Sequence, residues 1–393
     1  MIALVGADLV LPDRIVSGHA LVISHGVIEA IVPVDRALAV TARIVDLSGC
    51  LVAPGFIDVH IHGLHGVDVL DSPDAVSAVA RILPRYGVTA WCPTSVACTP
   101  ELLHTFLQAT QAERRSPAAN ASRVAGAHLE SNFINPDWKG AQPAGCLKTW
   151  HASPSADAAF RADDVWRVID AHREDVAIVT LAPELPGGLD LVRALAQKGI
   201  RVSIGHSGAT YDEAMEAIGA GVRHATHLFN RMSSLTSRSP GVVGAVLGSD
   251  SVSAEIICDG HHVHPSLIRL AVRAKSIARV MAITDATAAA GMPTGTRARL
   301  GEQSITTGAH TAVLDDGTLA GSILTMDAAF RMLIQLGFTV PEVSRLCATT
   351  AAESLGLHDT GVIAEGRRAD LVVLDRRHRV RQTYLAGVPA LEP

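Results

Sequence analysis

The sequence predicts an α/β fold: a (β/α)8 TIM barrel with a small discontinuous β-sandwich domain formed from both chain ends. Two observations point there. From residue 53 to residue 357, apolar strand-like runs alternate with stretches of helical periodicity, the pattern of strands covered by crossover helices. Outside those bounds, in 1–52 and 358–393, short segments rich in β-branched residues are separated by turn residues. A chain of 393 residues has room for one large domain and a smaller one.

Taken in order, strands are expected at 20–23, 27–31 and 42–46, with His25-Gly26 as the first turn. The closing segments 369–375 and 380–385 resemble them and are assigned to the same domain. The basic run Arg376, Arg377, Arg379, Arg381 reads as a solvated strand face or turn. Barrel strands are expected at 52–59, 88–92, 124–129, 176–181, 201–205, 223–227, 253–257 and 280–285. Helical periodicity fits 75–86, 101–113, 162–172, 188–198, 212–220, 265–275 and 327–336. The Gly- and Thr-rich segment 295–320 is expected to form a hairpin excursion over the barrel mouth.

Composition narrows the function. Hydrophobic residues at 48% against 18% charged exclude a disordered chain. A net charge of −6 with 4% aromatic residues argues against nucleic-acid binding. No apolar run reaches the ~18–20 residues of a membrane span, so no membrane association is expected. The opening Met1–Asp8 lacks the basic lead of a signal peptide. Six cysteines (Cys50, Cys92, Cys98, Cys146, Cys258, Cys347) without a Cys-x-x-Cys pair read as reduced thiols of a cytoplasmic protein. The unusual count is 18 histidines, and several fall where apolar runs stop.

The strongest local signal is Pro54-Gly55-Phe56-Ile57-Asp58-Val59-His60-Ile61-His62-Gly63. Residues i and i+2 of a strand point the same way, so His60 and His62 can aim at one ion. Glu130 ends the third barrel strand, His206 the fifth, His227 the sixth and Asp285 the eighth. In a barrel those ends share one rim. Each residue alone could be an ordinary rim residue. Six together mark a metal site. Two imidazoles and a carboxylate suit a divalent ion with a position open for water, which the ion acidifies while it polarises a substrate carbonyl. Asp285 is placed to take and return the proton. Such a site hydrolyses an amide or similar C–N bond.

Motifs along most of the chain carry a resemblance. They are Pro54 to Gly63, His128-Leu129-Glu130, Lys139-Gly140, Thr180-Leu181-Ala182-Pro183-Glu184, Gly205-His206-Ser207-Gly208-Ala209-Thr210 and Thr226-His227-Leu228-Phe229-Asn230. Arg238, Asp259-Gly260-His261-His262, Thr284-Asp285-Ala286-Thr287, Gly321 to Met326 and Gly366 to Leu371 follow. In this order the chain resembles the amidohydrolase superfamily and, within it, the N-acetylglucosamine-6-phosphate deacetylase family. The resemblance implies that Glu130, His206 and His227 are the common metal ligands and that His60 and His62 serve a second ion, with Glu130 bridging. It implies one or two divalent ions per chain, zinc first, with Fe2+, Mn2+ or Co2+ as alternatives. It makes Asp285 the general base and acid as well as a metal neighbour. His262 becomes a substrate contact, and Asn230 and Arg238 hold a sugar phosphate, Arg238 through a bidentate guanidinium. It also implies a homodimer that completes the phosphate site across its interface. Related branches bridge two metals with a carboxylated lysine on strand four. Val179-Thr180-Leu181-Ala182 contains no lysine, which disfavours the dihydropyrimidinase-like and dihydroorotase-like branches.

The chain departs from the family pattern at the substrate side. Ser131-Asn132 replace a Gly-Pro turn after Glu130. Gln142 stands where a histidine is usual, and Arg231 where a small residue is usual. Gln142 and Arg231 are therefore added as substrate-binding candidates. The expected activity is hydrolysis of the acetamide of an N-acetylated amino-sugar phosphate, N-acetylglucosamine-6-phosphate first. The four departures raise the alternative of the same deacylation on a neutral N-acetyl sugar, an N-acyl amino acid or another acylated amine. A nucleobase deaminase and a retired scaffold that only binds ligand are lesser alternatives.

Overall fold

The barrel strands are apolar at nearly every position because helices cover their outer faces. In this computed structural model, which describes residues 1–38, 43–151 and 159–391, they are β1 (Phe56–Ile61), β2 (Val88–Ser95), β3 (Ala127–Glu130), β4 (Val176–Leu181), β5 (Arg201–Ile204), β6 (Val222–Ala225), β7 (Ser253–Ile257) and β8 (Val280–Ile283). They run parallel in chain order from β1 to β8. The seam between β8 and β1 lies at their C-terminal ends. There Asp285 N–H donates to the His60 carbonyl at 2.9 Å, and His62 N–H to the Ala286 carbonyl at 2.8 Å. The Thr284 hydroxyl adds a 2.6 Å bond to the Asp58 carboxylate. Three expected metal-site residues thus supply the bonds that close the barrel.

The expected strand 52–59 is two elements. Leu51–Pro54 belongs to a sheet of the chain ends, and β1 begins at Phe56. Gly55 separates them, and a Cβ there would sit 2.2 Å from the Thr89 methyl. The expected strand 124–129 also divides, into Arg123–Val124 and β3. Gly126 between them takes φ +141°, which side chains rarely adopt. The helix Gly241–Gly248 escapes the sequence pattern because GVVGAVLG is apolar all round and has no amphipathic period.

The chain ends form two sheets. One orders Val27–Pro33, His19–Ser24, Ile2–Val5 and Arg43–Asp46; Ala42, the expected start of the last, lies outside the described residues. The other orders Val388–Pro389, Val380–Leu385, Leu371–Leu374, Leu51–Pro54, Asp8–Val10 and Ile15–Val16. Leu4, Leu21 and Ile28 of the first pack with Leu9, Val52, Leu371 and Val373 of the second in one buried cluster. The turn at 375–379 carries part of the basic run, and the Asp375 carboxylate accepts from the Arg377 and Arg379 amides at 2.7 and 2.9 Å. The segment expected as a hairpin over the barrel mouth is instead a four-stranded antiparallel sheet, Arg297–Leu300, Gln303–Thr307, Thr311–Leu314 and Leu319–Ser322. No helix among the described residues is long and apolar enough to cross a membrane.

The barrel leaves no room for a side chain next to His206. A Cβ on Gly205 would lie 2.8 Å from Thr226 Cβ and 2.9 Å from Thr180 Cγ2, with both threonines buried. Gly205→Ala is expected to lower stability by about 1–3 kcal/mol through overpacking. Urea unfolding of the two proteins checks this, and an unchanged midpoint would contradict it.

Candidate metal centre and substrate cavity

The turns after β5, β6 and β8 place their residues by an uncommon backbone. His206, His227 and Asp285 have φ of 47°, 31° and 52°, the left-handed region that costs side-chain-bearing residues about 1–2 kcal/mol each. Strain of this kind persists where the surroundings fix it, commonly at functional sites. After β5, Glu184 provides that fixation. Its carboxylate accepts from the Ser207 hydroxyl at 2.7 Å, the Gly208 amide at 2.6 Å and the Asn135 side chain at 2.9 Å. Thr210 then caps the helix Tyr211–Ala220 in a reciprocal box with Glu213.

The structure brings all six expected metal-site residues together. Glu130 Oε1 is 2.9 Å from His206 Nε2 and 2.8 Å from His227 Nε2. Glu130 Oε2 is 3.5 Å from His62 Nε2, and Asp285 Oδ1 lies 3.3 Å from His62 Nε2 and 3.5 Å from His60 Nε2. Two triads result, Glu130/His206/His227 and His60/His62/Asp285, with Glu130 facing both.

The donor set fits divalent ions. His62 Nδ1 is 3.0 Å from the Thr94 carbonyl, and His206 Nδ1 is 2.8 Å from the Trp138 carbonyl. Carbonyls only accept, so both Nδ1 atoms carry protons and leave Nε2 lone pairs facing the centre. Yet His206 Nε2 is 3.1 Å from His227 Nε2, and His60 Nε2 is 3.2 Å from His62 Nε2. Acceptor groups crowded this way in a buried site require cations or extra protons. Electrostatics in the protein alone show the same demand. Burial opposes charge on His227, but the Glu130 carboxylate pushes it up to about 9. Burial would raise the Glu130 carboxyl, yet His206 and His227 hold it well below the usual carboxylate range. Burial dominates at His60 and pushes it down to about 4.

The cavity above this centre is lined by Gln142, Asn230, Arg231, His262, Leu300 and Leu319, among others. The His262 Nδ1 is 2.6 Å from Asp259, while its Nε2 is buried without a partner among the described residues. Burial lowers and Asp259 raises the affinity of His262 for a proton, and the net direction is upward. Asn230 donates weakly to the His227 carbonyl at 3.3 Å. Arg231 lies against Gly140 and makes no side-chain hydrogen bond or ion pair among the described residues. Arg238 is exposed on the following loop and does not line the cavity.

The sequence matches the profile of the amidohydrolase family over residues 51–390. The chain belongs to the amidohydrolase family. It is 36% identical to an N-acetylgalactosamine-6-phosphate deacetylase of Escherichia coli O157:H7, covering 94% of each chain. It is 37% identical to an N-acetylglucosamine-6-phosphate deacetylase of Danio rerio, covering 87% of this chain and 85% of that one. Its structure resembles N-acetylglucosamine-6-phosphate deacetylase from Pasteurella multocida, with TM-score 0.89, 29% identity and 99% of both chains covered. It also resembles an Asp-to-Ala mutant of the Mycobacterium smegmatis deacetylase in complex with N-acetyl-D-glucosamine-6-phosphate, with TM-score 0.88, 29% identity, and 100% and 99% covered.

This amidohydrolase uses its unusual residues in specific ways. Ser131 turns away from the cavity, its hydroxyl donating to the Thr180 carbonyl at 2.6 Å. The Asn132 amide donates to the Cys98 and Cys146 carbonyls, both at 2.7 Å. These bonds pin the chain where a Gly-Pro turn is usual. Gln142 is engaged at both ends: its amide nitrogen donates to Glu130 and its oxygen accepts from Ala97 N–H at 2.8 Å. It braces the carboxylate common to both triads.

Buried polar groups beneath the centre were not singled out from sequence. Asp58, His128, His224 and Glu255 lie inside the barrel with 0% exposure. The signal was there, since each is a polar residue in the middle of an apolar strand. Metal uptake must displace the proton that Glu130 holds on His227, so zinc affinity should rise with pH up to about 9 and level off above it. Competition against a chromophoric chelator measures it; a pH-independent affinity would contradict the arrangement.

Proposed function

We propose that this amidohydrolase hydrolyses the acetamide of N-acetylglucosamine-6-phosphate, consuming water and releasing glucosamine-6-phosphate and acetate. The observation that carries this reading is the complete His60/His62/Glu130/His206/His227/Asp285 set beneath a cavity with Arg231, unpaired among the described residues, on its rim. Relatives bearing the deacetylase name match the chain over most of its length.

The two triads would hold divalent ions, proposed as zinc. When bound, such ions lower the pKa of a coordinated water and polarise the amide carbonyl. The protein supplies the rest. Asp285 is kept ionised: burial raises its pKa, but His60 and His62 draw it below the usual range. It can therefore accept the proton of the attacking water and deliver it to the leaving sugar nitrogen. His262 Nε2, without a partner among the described residues and braced through Asp259, is positioned to contact substrate. Arg231 supplies the cation for the phosphate within one protomer. Arg238, exposed and away from its own cavity, is assigned to the partner's phosphate site in a cytoplasmic homodimer. Ser131 and Asn132 contribute nothing to the cavity wall, which weakens the case for an unphosphorylated substrate.

Acetate release from N-acetylglucosamine-6-phosphate, its unphosphorylated form and N-acetylgalactosamine-6-phosphate tests the reading. A large kcat/KM preference for the phosphorylated sugars is expected. No activity on any of them with metal bound would refute it. Asp285→Asn should abolish turnover while the Glu130/His206/His227 ion is retained, and substantial residual activity would remove Asp285 from its role. Arg231→Ala should raise KM for phosphorylated substrate with kcat largely unchanged. An equal effect on the neutral sugar would remove it from phosphate binding.

A further inference from the structure

Glu255 stands in the middle of β7, fully buried, where an apolar residue would normally fill the barrel. Its Oε2 is 2.9 Å from His60 Nδ1. The same oxygen accepts from the His227 backbone N–H at 3.3 Å, and the Glu255 carbonyl accepts from Leu228 N–H at 2.8 Å. One residue thus touches a ligand from each triad, across the barrel and at a neighbouring strand end. Oε1 faces His224 Nε2 at 3.6 Å and His128 Nδ1 at 3.8 Å, with no hydrogen bond among the described residues.

His60, His128 and Glu255 are near enough to one another to be considered for an ion of their own. Their hydrogen bonds argue against it. His128 Nδ1 donates to the Val59 carbonyl at 2.9 Å, and its Nε2 accepts from the Thr180 hydroxyl at 2.7 Å. Both of its nitrogens are already committed. His60 Nδ1 faces a carboxylate, so its proton belongs there and its lone pair belongs on Nε2, toward His62 and Asp285.

We propose that Glu255 is a positioning residue that makes the His60/His62/Asp285 triad able to hold its own ion. It does so by fixing the His60 tautomer and ring direction. Without an acceptor at this place, the Nδ1 proton would be stranded in a dry core or would move to Nε2, where it would occupy the ligand lone pair. Glu130 and His206 would keep their donors, because Gln142 and Trp138 hold them independently of Glu255, and His227 would lose only the 3.3 Å contact of its backbone N–H while its Nε2 stays against Glu130. The inference rests on the two-ion reading of the site and not on the identity of the substrate.

The test counts metal. Full-length wild type, Glu255→Gln and Glu255→Ala are stripped with chelator, reloaded with zinc, dialysed and analysed for zinc per chain, with affinities from chelator competition. Wild type is expected to hold two ions. Glu255→Gln, which keeps an acceptor oxygen without its charge, should weaken only the second ion, and Glu255→Ala should weaken it about 10–100-fold, the usual cost of losing such a partner. Cobalt loading should show the absorption of the first equivalent unchanged and that of the second lost. The melting temperature of the metal-free Glu255→Gln protein should match wild type, which separates ion loss from misfolding. The proposal is overturned if both variants keep two ions at wild-type affinity, if both ions weaken together, or if wild type holds only one. Acetate release by the wild type reports separately on the deacetylase reading.

Discussion

The Glu130 carboxylate is held in a dry pocket among imidazole nitrogens, and much of the active end of the barrel follows from that constraint. His206 and His227 approach one of its oxygens at 2.9 and 2.8 Å, while His62 and Gln142 approach the other. A buried carboxylate is costly unless paired. Carbonyl partners on Nδ1 direct the lone pairs of His62 and His206 inward, so neutral imidazoles cannot satisfy it alone. Positive charge has to come from protons or from metal. Burial opposes charge on His227, yet the Glu130 carboxylate holds a proton there, and metal would replace that proton with the charge that chemistry on an amide requires.

The scaffold serves that demand at two levels. At the rim, three residues take left-handed backbone conformations so that their side chains point inward from strand ends, and Glu184 stitches one of those turns in place. Below the rim, the interior departs from the branched aliphatic layers that normally fill such barrels. Thr180, Thr226 and Ser203 share hydrogen bonds of 2.6–2.7 Å, and Asp58 ties β1 to Thr284 next to Asp285. Such buried hydrogen bonds rigidify the groups they support. The proposed ligands His60, His62 and Asp285 themselves complete the seam between β8 and β1, which ties the geometry of the candidate site to barrel closure.

Much of this was legible in the sequence. That the six candidate metal-site residues come together was readable because each interrupts an apolar run near its end, and the strand ends of a barrel share one rim. The Gly and Thr content of 295–320 was read as a hairpin excursion, and the segment forms four strands rather than two. What escaped had a physical reason. Gly55 and Gly126 divide expected strands, because periodicity cannot show where a neighbour leaves no room for a Cβ. The Gly241–Gly248 helix has no polar face. Glu255 and His128 belong to a network between strands distant in sequence, and only tertiary structure pairs Glu255 with His60. Gln142 was read as a substrate contact from its position in the pattern, while its hydrogen bonds commit it to Glu130 and Ala97.

The most direct test of the account is anomalous diffraction at the zinc edge from crystals of the zinc-loaded protein. Two peaks are predicted, one among Glu130, His206 and His227 and one among His60, His62 and Asp285, with Glu130 reaching both. A zinc-loaded crystal with no peak at Glu130 would contradict the account, because the crowded lone pairs would then be satisfied by protons alone.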